Sequence, residues 1–191
     1  MLDQIAFGAL VSHGLEGLTA TSLPFLVVRE PLRLIGHVAR ANAQWRAGPG
    51  EALMILQGPS AYISPSLYPS KAEHGRVVPT WNYEAAHVHG QLSWFDEPDR
   101  LLEVVEALTD RFERDRIQPW AVADAPGGYV QGMLGAIVGF EFTVTRIEAA
   151  RKHSQNRSDA DQAGVIAGLS ASPSPSDQAV AQAMRRGATR R

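Results

Sequence analysis

The sequence predicts a mainly β (α+β) fold, a closed antiparallel barrel carrying peripheral helices. Three observations point there. Several short apolar segments that read as strands recur along the chain, with only a few helices. Only one stretch, Asp96–Arg114, has a strong helical repeat of apolar residues, at Leu101, Leu102, Val105 and Leu108. And neither a GxGxxG fingerprint nor a GxxxxGK[ST] phosphate loop is present, which argues against Rossmann and P-loop architectures.

Taken in order, Gln4–His13 alternates as a strand, and Gly14-Leu15-Glu16-Gly17 supplies a turn. Leu18–Val28 resumes the extended pattern, and Pro24 within it marks an edge or a bulge. Arg33–Val38 is a third short strand, Ala39–Arg46 a helical turn, and Gly48-Pro49-Gly50 its stop. Glu51–Gln57 is a buried strand ending at Gly58-Pro59. Ser60–His74 reads as an ordered loop because tyrosines are interleaved with its prolines and serines. Val77–Phe95 is one bent strand or two in succession, with Val88, Gly90, Leu92 and Trp94 on one face. In the helix that follows, Asp96 is the expected cap and Pro98 suits the first turn. A weaker helix covers Gly128–Ile137, and Val138–Ile147 alternates as a strand.

After Ala150 the composition changes. The expected organisation is a barrel with its helices over 1–150, a motif segment packing on it over 151–169, and over 170–191 a flexible spacer and basic helix or tail.

Charge and composition narrow the function classes. The 191 residues carry a net charge of −2, so no global field draws the protein to nucleic acid or an anionic membrane. A DNA contact would need a local basic patch, such as Arg185, Arg186, Arg190 and Arg191, or a partner. No apolar run approaches the ~20 residues of a membrane span, and the start lacks the basic residues of a signal peptide. With no cysteine there are no disulfides and no thiolate chemistry. The expected location is the cytoplasm, with no membrane contact.

The six histidines, His13, His37, His74, His87, His89 and His153, form no HxxxH or HExxH pattern, and no metal site is expected. There is no GxSxG elbow either. The chemistry-bearing stretch is Gln57–Asn82. It combines Tyr62, Tyr68 and Trp81 with backbone-fixing prolines and the short donors Ser64, Ser66, Ser70, Thr80 and Asn82. Such a stiff loop suits a planar, phosphorylated cofactor, with hydroxyls and a cation for the phosphate and aromatics for the ring. It equally suits a surface loop packed by its own tyrosines. A second candidate is Arg151–Gly168, where Lys152 and Arg157 bracket Ser154, Gln155 and Asn156. Amides there can bond a flavin's pyrimidine edge and the cations a phosphate. The alternative is a solvated linker into a helix capped by Ser158 or Asp159.

Four segments in order resemble the PaiB-type FMN-binding regulators. They are Gly36–Arg46 (GHVARANAQWR), Gln57–Lys71 (QGPSAYISPSLYPSK), Val78–His89 (VPTWNYEAAHVH) and Ser154–Leu169 (SQNRSDADQAGVIAGL). The resemblance implies a Greek-key FMN-binding split β-barrel that pairs as a homodimer. It implies FMN as cofactor and a role as a negative transcriptional regulator, with DNA contacted directly or through a partner. Carried over by motif, the cofactor-binding residues are His37, Arg40, Asn42, Tyr62, Ser64, Tyr68, Lys71, Thr80, Trp81, Asn82, Lys152, Gln155 and Asn156. No catalytic residue is assigned. Ser22 stands where the family usually has His, and His153 where an apolar residue is expected. Split barrels also host flavin reductases and pyridoxamine-phosphate oxidases. An FMN-dependent oxidoreductase, with His37, Tyr68 or Lys71 as proton donor, therefore stays open, as does a cofactor-free split-barrel dimer.

Overall fold

The structure is a computed structural model and describes residues 5–14 and 17–188. Seven strands are present: β1 (Phe7–Gly14), β2 (Gly17–Pro24), β3 (Leu26–Val28), β4 (Arg33–Ala39), β5 (Gly50–Ile63), β6 (Thr80–Phe95) and β7 (Ile137–Lys152). The helices are α1 (Ser70–His74), α2 (Pro98–Glu113), α3 (Gly127–Leu134), α4 (Asp159–Ala171) and α5 (Pro175–Ala188). Two compact units share the three long strands. One comprises residues 1–56 and 86–148, the other 57–85 and 149–191.

In the first unit the strands belong to one sheet of order β2-β1-β5-β6-β7-β4-β3. Its two edge strands are consecutive in the chain, separated by Phe25 alone. Phe25 is fully buried and its N–H bonds the Ala6 carbonyl at 3.2 Å. A sheet whose first and last strands meet through one residue curls round so that its two edges come together there, as in a barrel. The closure needs Gly36, because a Cβ there would lie 2.7 Å from the Pro24 carbonyl and from the Phe140 ring. Leu10, Leu34, Met54, Leu56, Val88, Phe140 and Phe142 fill the interior from alternating strand positions. The expected turn at residues 14–17 connects β1 to β2, and its central residues 15 and 16 lie outside the described ones.

Helix α2 buries Leu101, Val104 and Leu108 against Phe95 and Leu134. The expected cap differs. Glu97 holds the cap position without a side-chain bond, while the Asp96 carboxylate pairs with Arg40 at 3.5 Å.

The second unit has its own core of Ala61, Ile63, Tyr68, Val165, Leu169, Val180, Ala181 and Met184. Strand β5 does not stop at Gly58-Pro59 but runs to Ile63, because Ala61 and Ile63 alternate into this core. After it come a 3₁₀ turn, Pro65–Leu67, and α1. Strand β7 likewise continues to Lys152, past the change in composition. Between α4 and α5, Ser172 Oγ donates to Asp177 at 2.7 Å, and the Gln178 amide donates to the Ser172 carbonyl at 2.8 Å. Arg190 and Arg191 lie outside the described residues. Among the described residues no helix is long and apolar enough to cross a membrane.

Candidate functional site

Helix α4 is what positions the tyrosine loop of the second unit. Ser158 caps it, accepting from the Asp161 N–H at 3.2 Å. Four residues apart on one face stand Gly164 and Gly168, and both meet Leu67 of the 3₁₀ turn. A Cβ on Gly164 would lie 2.3 Å from the Leu67 carbonyl, and one on Gly168 would lie 2.4 Å from its side chain. Only glycine admits so close an approach. Asp161 then clamps the next residues, accepting from Ser70 N at 3.1 Å and Ser70 Oγ at 2.8 Å. Burial opposes its charge, but the bonds from Ser70, the nearby Arg157 and the bond from Ser158 outweigh that and hold the carboxyl below its ordinary range. Tyr68, fixed between these contacts, is buried in the unit's core.

Beside Tyr68 lies a cavity of about 220 Å³ lined by Val78, Pro79, Thr80, Asn82, Lys152, Ser154, Asn156 and Arg157. Both sequence stretches singled out above thus contribute to one wall. Lys152 Nζ donates to Thr80 Oγ1 at 2.7 Å. Asn82 is fully buried, and its amide and the Ser154 hydroxyl satisfy each other at 3.0 and 3.2 Å. Ser154 adopts the left-handed conformation with φ 59°, which non-glycine residues rarely take and which concentrates at functional sites. The Arg157 guanidinium lies 4.8 Å from the centre of the Tyr68 ring. The lining holds two cations and no carboxylate, so the cavity favours an anion. The Tyr68 hydroxyl is shielded from solvent and makes no hydrogen bond among the described residues. An unsatisfied buried hydroxyl is costly, and a ligand oxygen is a ready partner for it.

A shallow groove of about 460 Å³ adjoins through Tyr68 and carries Ser66, Leu67, Pro69, Lys71 and Ala72. The cavity falls below the roughly 300–1,000 Å³ usual for whole-ligand pockets. It suits one polar end of a larger molecule, with the groove available to the rest. The donor set therefore fits the phosphate end of a flavin nucleotide.

Other expected residues are placed elsewhere. Ser64 caps the 3₁₀ turn through Ser66 N at 3.2 Å. Trp81 occupies the strand face opposite Thr80 and Asn82, and makes an edge-to-face pair with Tyr62 at 6.1 Å. Gln155 spends its amide on local backbone, accepting from His153 N at 2.7 Å and donating to the Arg151 carbonyl at 2.6 Å. It lines a separate cavity of about 320 Å³ with Arg151 and His153.

In the first unit, Arg40 donates to the Gly135 carbonyl at 2.8 Å and the Ile137 carbonyl at 3.0 Å. Asn42 accepts from Gln44 N at 2.8 Å and donates to Thr21 at 2.9 Å. Both tie loops together. His37 lines an apolar cavity of that unit. Ser154 and Arg157 also line the cavity; they are absent from the set carried over by motif, although the residue chemistry of the run already offers the Arg157 cation to a phosphate. The signal was their position inside the same short polar run as Lys152 and Asn156.

His153 itself is 5 % exposed, as befits a position where an apolar residue was expected. Burial lowers its pKa, against the opposing pull of Glu84, whose carboxylate is 3.5 Å away and also accepts from Arg151 at 2.9 Å.

Comparison with known proteins shows the family. The model of a family described as "Putative FMN-binding domain" matches residues 1–146. The chain is 34% identical over 187 residues to the "Protease synthase and sporulation protein PAI 2" of Bacillus subtilis, across 96% of this chain and 87% of that protein. Among solved structures it is similar to the FAD and heme binding protein from Mycobacterium smegmatis, with a TM-score of 0.55 at 16% identity. That match spans 85% of this chain and 73% of the other. The flavocytochrome from Azotobacter vinelandii gives a TM-score of 0.55 at 11% identity, across 83% of this chain and 68% of the other. At such identities these two matches concern the fold alone, a mainly β split barrel with peripheral helices.

Proposed function

The chain belongs to this family of FMN-binding domains and FMN is its cofactor, and from that premise we propose that it is an FMN-dependent negative transcriptional regulator holding the nucleotide by its phosphate end. The observation that carries the placement is the Tyr68 hydroxyl, buried and unpartnered, on a cavity with two cations and no carboxylate. Lys152 and Arg157 would neutralise the phosphate, with Thr80, Tyr68 and Asn156 donating to its oxygens. Asn82 holds Ser154 in its left-handed conformation and so shapes the floor. Lys71, on the adjoining groove, would meet the rest of the nucleotide. Bound FMN supplies a ring that accepts one or two electrons, which makes occupancy and redox state readable as signals.

The regulatory role is supported by the likeness to the sporulation protein and by the family resemblance of the motifs. We assign the exposed pair Tyr62 and Trp81, 49% and 55% accessible, to the contact with a second copy in a cytoplasmic homodimer. With a net charge of −2, contact with DNA would rest on a local patch such as Arg185 and Arg186 on α5, or on a partner.

The first test is titration of the purified protein with FMN, followed by flavin fluorescence. The proposal expects saturable binding with one FMN per chain; flavin that stays free at micromolar protein overturns it. With the loaded protein, a salt-sensitive, sequence-specific DNA shift supports regulation. Steady turnover of NADPH without any DNA shift would assign the protein to the oxidoreductases instead.

A further inference from the structure

The apolar cavity that His37 lines, confined to the first unit, has a different chemistry. It measures about 210 Å³ and is walled by Val105, Val130, Met133, Leu134 and Ile137, with the aromatic residues Trp120 and Tyr129. No charged side chain lines it. Trp120, Tyr129 and Met133 are 49%, 62% and 48% accessible, an unusual exposure for three large apolar residues on one small feature. Apart from the polar tips of the two aromatics, the wall's one polar side chain is His37, delivered from β4. Its Nδ1 is shielded from solvent and has no hydrogen-bond partner among the described residues.

We propose that this cavity is a binding site for a small, uncharged, planar aromatic molecule that donates one hydrogen bond, of the phenol or indole class, to His37. The volume argues for the size. An apolar cavity of about 150 Å³ accommodates benzene, so 210 Å³ takes a substituted ring or a small bicycle. The aromatic walls argue for planarity, since ring faces and edges pack best against another ring. The absence of any charged lining residue excludes an ion, which would lose its hydration without compensation. His37 argues for the single donor. Burial lowers its pKa, so the ring is neutral near pH 7, and with the proton on Nε2 its Nδ1 accepts. The ligand chemistry differs from that of the FMN cradle, where cations surround a polar space. This inference therefore stands apart from the flavin assignment.

The experiment is calorimetric titration of the FMN-saturated protein with phenol and with toluene, the same ring without the hydroxyl. The expected result is saturable binding of both, with phenol at least about tenfold tighter. His37→Phe should bring the two ligands to within about twofold of each other, as loss of one hydrogen bond requires. Val130→Trp should fill the space and abolish both while the protein keeps its FMN. Equal affinity of phenol and toluene for the wild-type protein would overturn the proposal, as would no binding of either. Loss of FMN from Val130→Trp would assign the cavity to the flavin, and conversion of a dimer to monomer by that variant would assign it to a second copy. Either result refutes the small-molecule reading.

Discussion

Replacing Tyr68 with Phe should move stability and affinity in opposite directions. Tyr68 is 2 % exposed and packs in the second unit's core with Ile63, Val165 and Met184. Its ring contacts survive the change, because Phe retains the ring and loses only the hydroxyl. That hydroxyl makes no hydrogen bond among the described residues, and a buried unsatisfied polar group costs about 1–3 kcal/mol. The flavin-free Tyr68→Phe protein should therefore be more stable, by about 1 kcal/mol or somewhat more. For a chain of 191 residues each kcal/mol shifts Tm by roughly 2–4 °C, which differential scanning calorimetry resolves. FMN affinity should fall, since the phosphate loses one bond. Hydrogen bonds to charged groups contribute about 1.5–3 kcal/mol, or about 10- to 150-fold in Kd. A flavin-free variant that melts lower and binds FMN as well as the wild type would refute the reasoning, and would make Tyr68 a core residue only.

Gly164→Ala should destabilise the protein and weaken FMN binding together, because its Cβ would meet the Leu67 backbone at 2.3 Å and displace the turn that carries Tyr68. The control is Gly132→Ala in α3, where a Cβ has nothing within 4 Å, and which should raise stability by up to about 1 kcal/mol in urea unfolding. Asp161→Asn should loosen the Ser70 clamp, read as faster amide exchange at Ser70 and reduced FMN affinity; unchanged exchange would remove the clamp from the account. Stability should also fall as pH drops through the ordinary histidine value of 6.5, because His37 and His153 are held neutral by burial while their unfolded forms take up protons. Urea midpoints between pH 7.5 and 5.5 check this, and His153→Leu should flatten the slope; a midpoint that rises on acidification contradicts it.

Alternation of apolar residues located the extended segments of the barrel, because a half-buried strand must place alternate side chains inside, but it joined as Leu18–Val28 what the structure divides at Phe25 into β2 and β3. What it missed was length. Pro59 suggested an end to β5, yet Ala61 and Ile63 carry the strand into a second core that local sequence does not reveal. The candidate site was legible as two polar stretches but not as a geometry. Asn82 and Ser154 are 72 residues apart, and only the fold brings them together. The set carried over by motif also includes residues whose donors the structure engages locally. Arg40 and Asn42 have cofactor-like donors, but the carbonyls of residues 135 and 137 and the loop at Thr21 take them up. Gln155 is likewise drawn to its own backbone. Strand period could have separated Trp81 from Thr80 and Asn82, since neighbours on a strand face opposite sides.

The central claim is that Lys152 and Arg157 recognise the phosphate of FMN, and the most direct measurement compares FMN with riboflavin, which has the same ring and no phosphate. Wild-type protein should bind FMN at least about a hundredfold more tightly, as two charge-assisted contacts require. In Lys152→Ala/Arg157→Ala the two ligands should bind to within about tenfold of each other, with riboflavin affinity little changed. A double variant that still prefers FMN by the wild-type ratio would contradict the account and place the phosphate elsewhere.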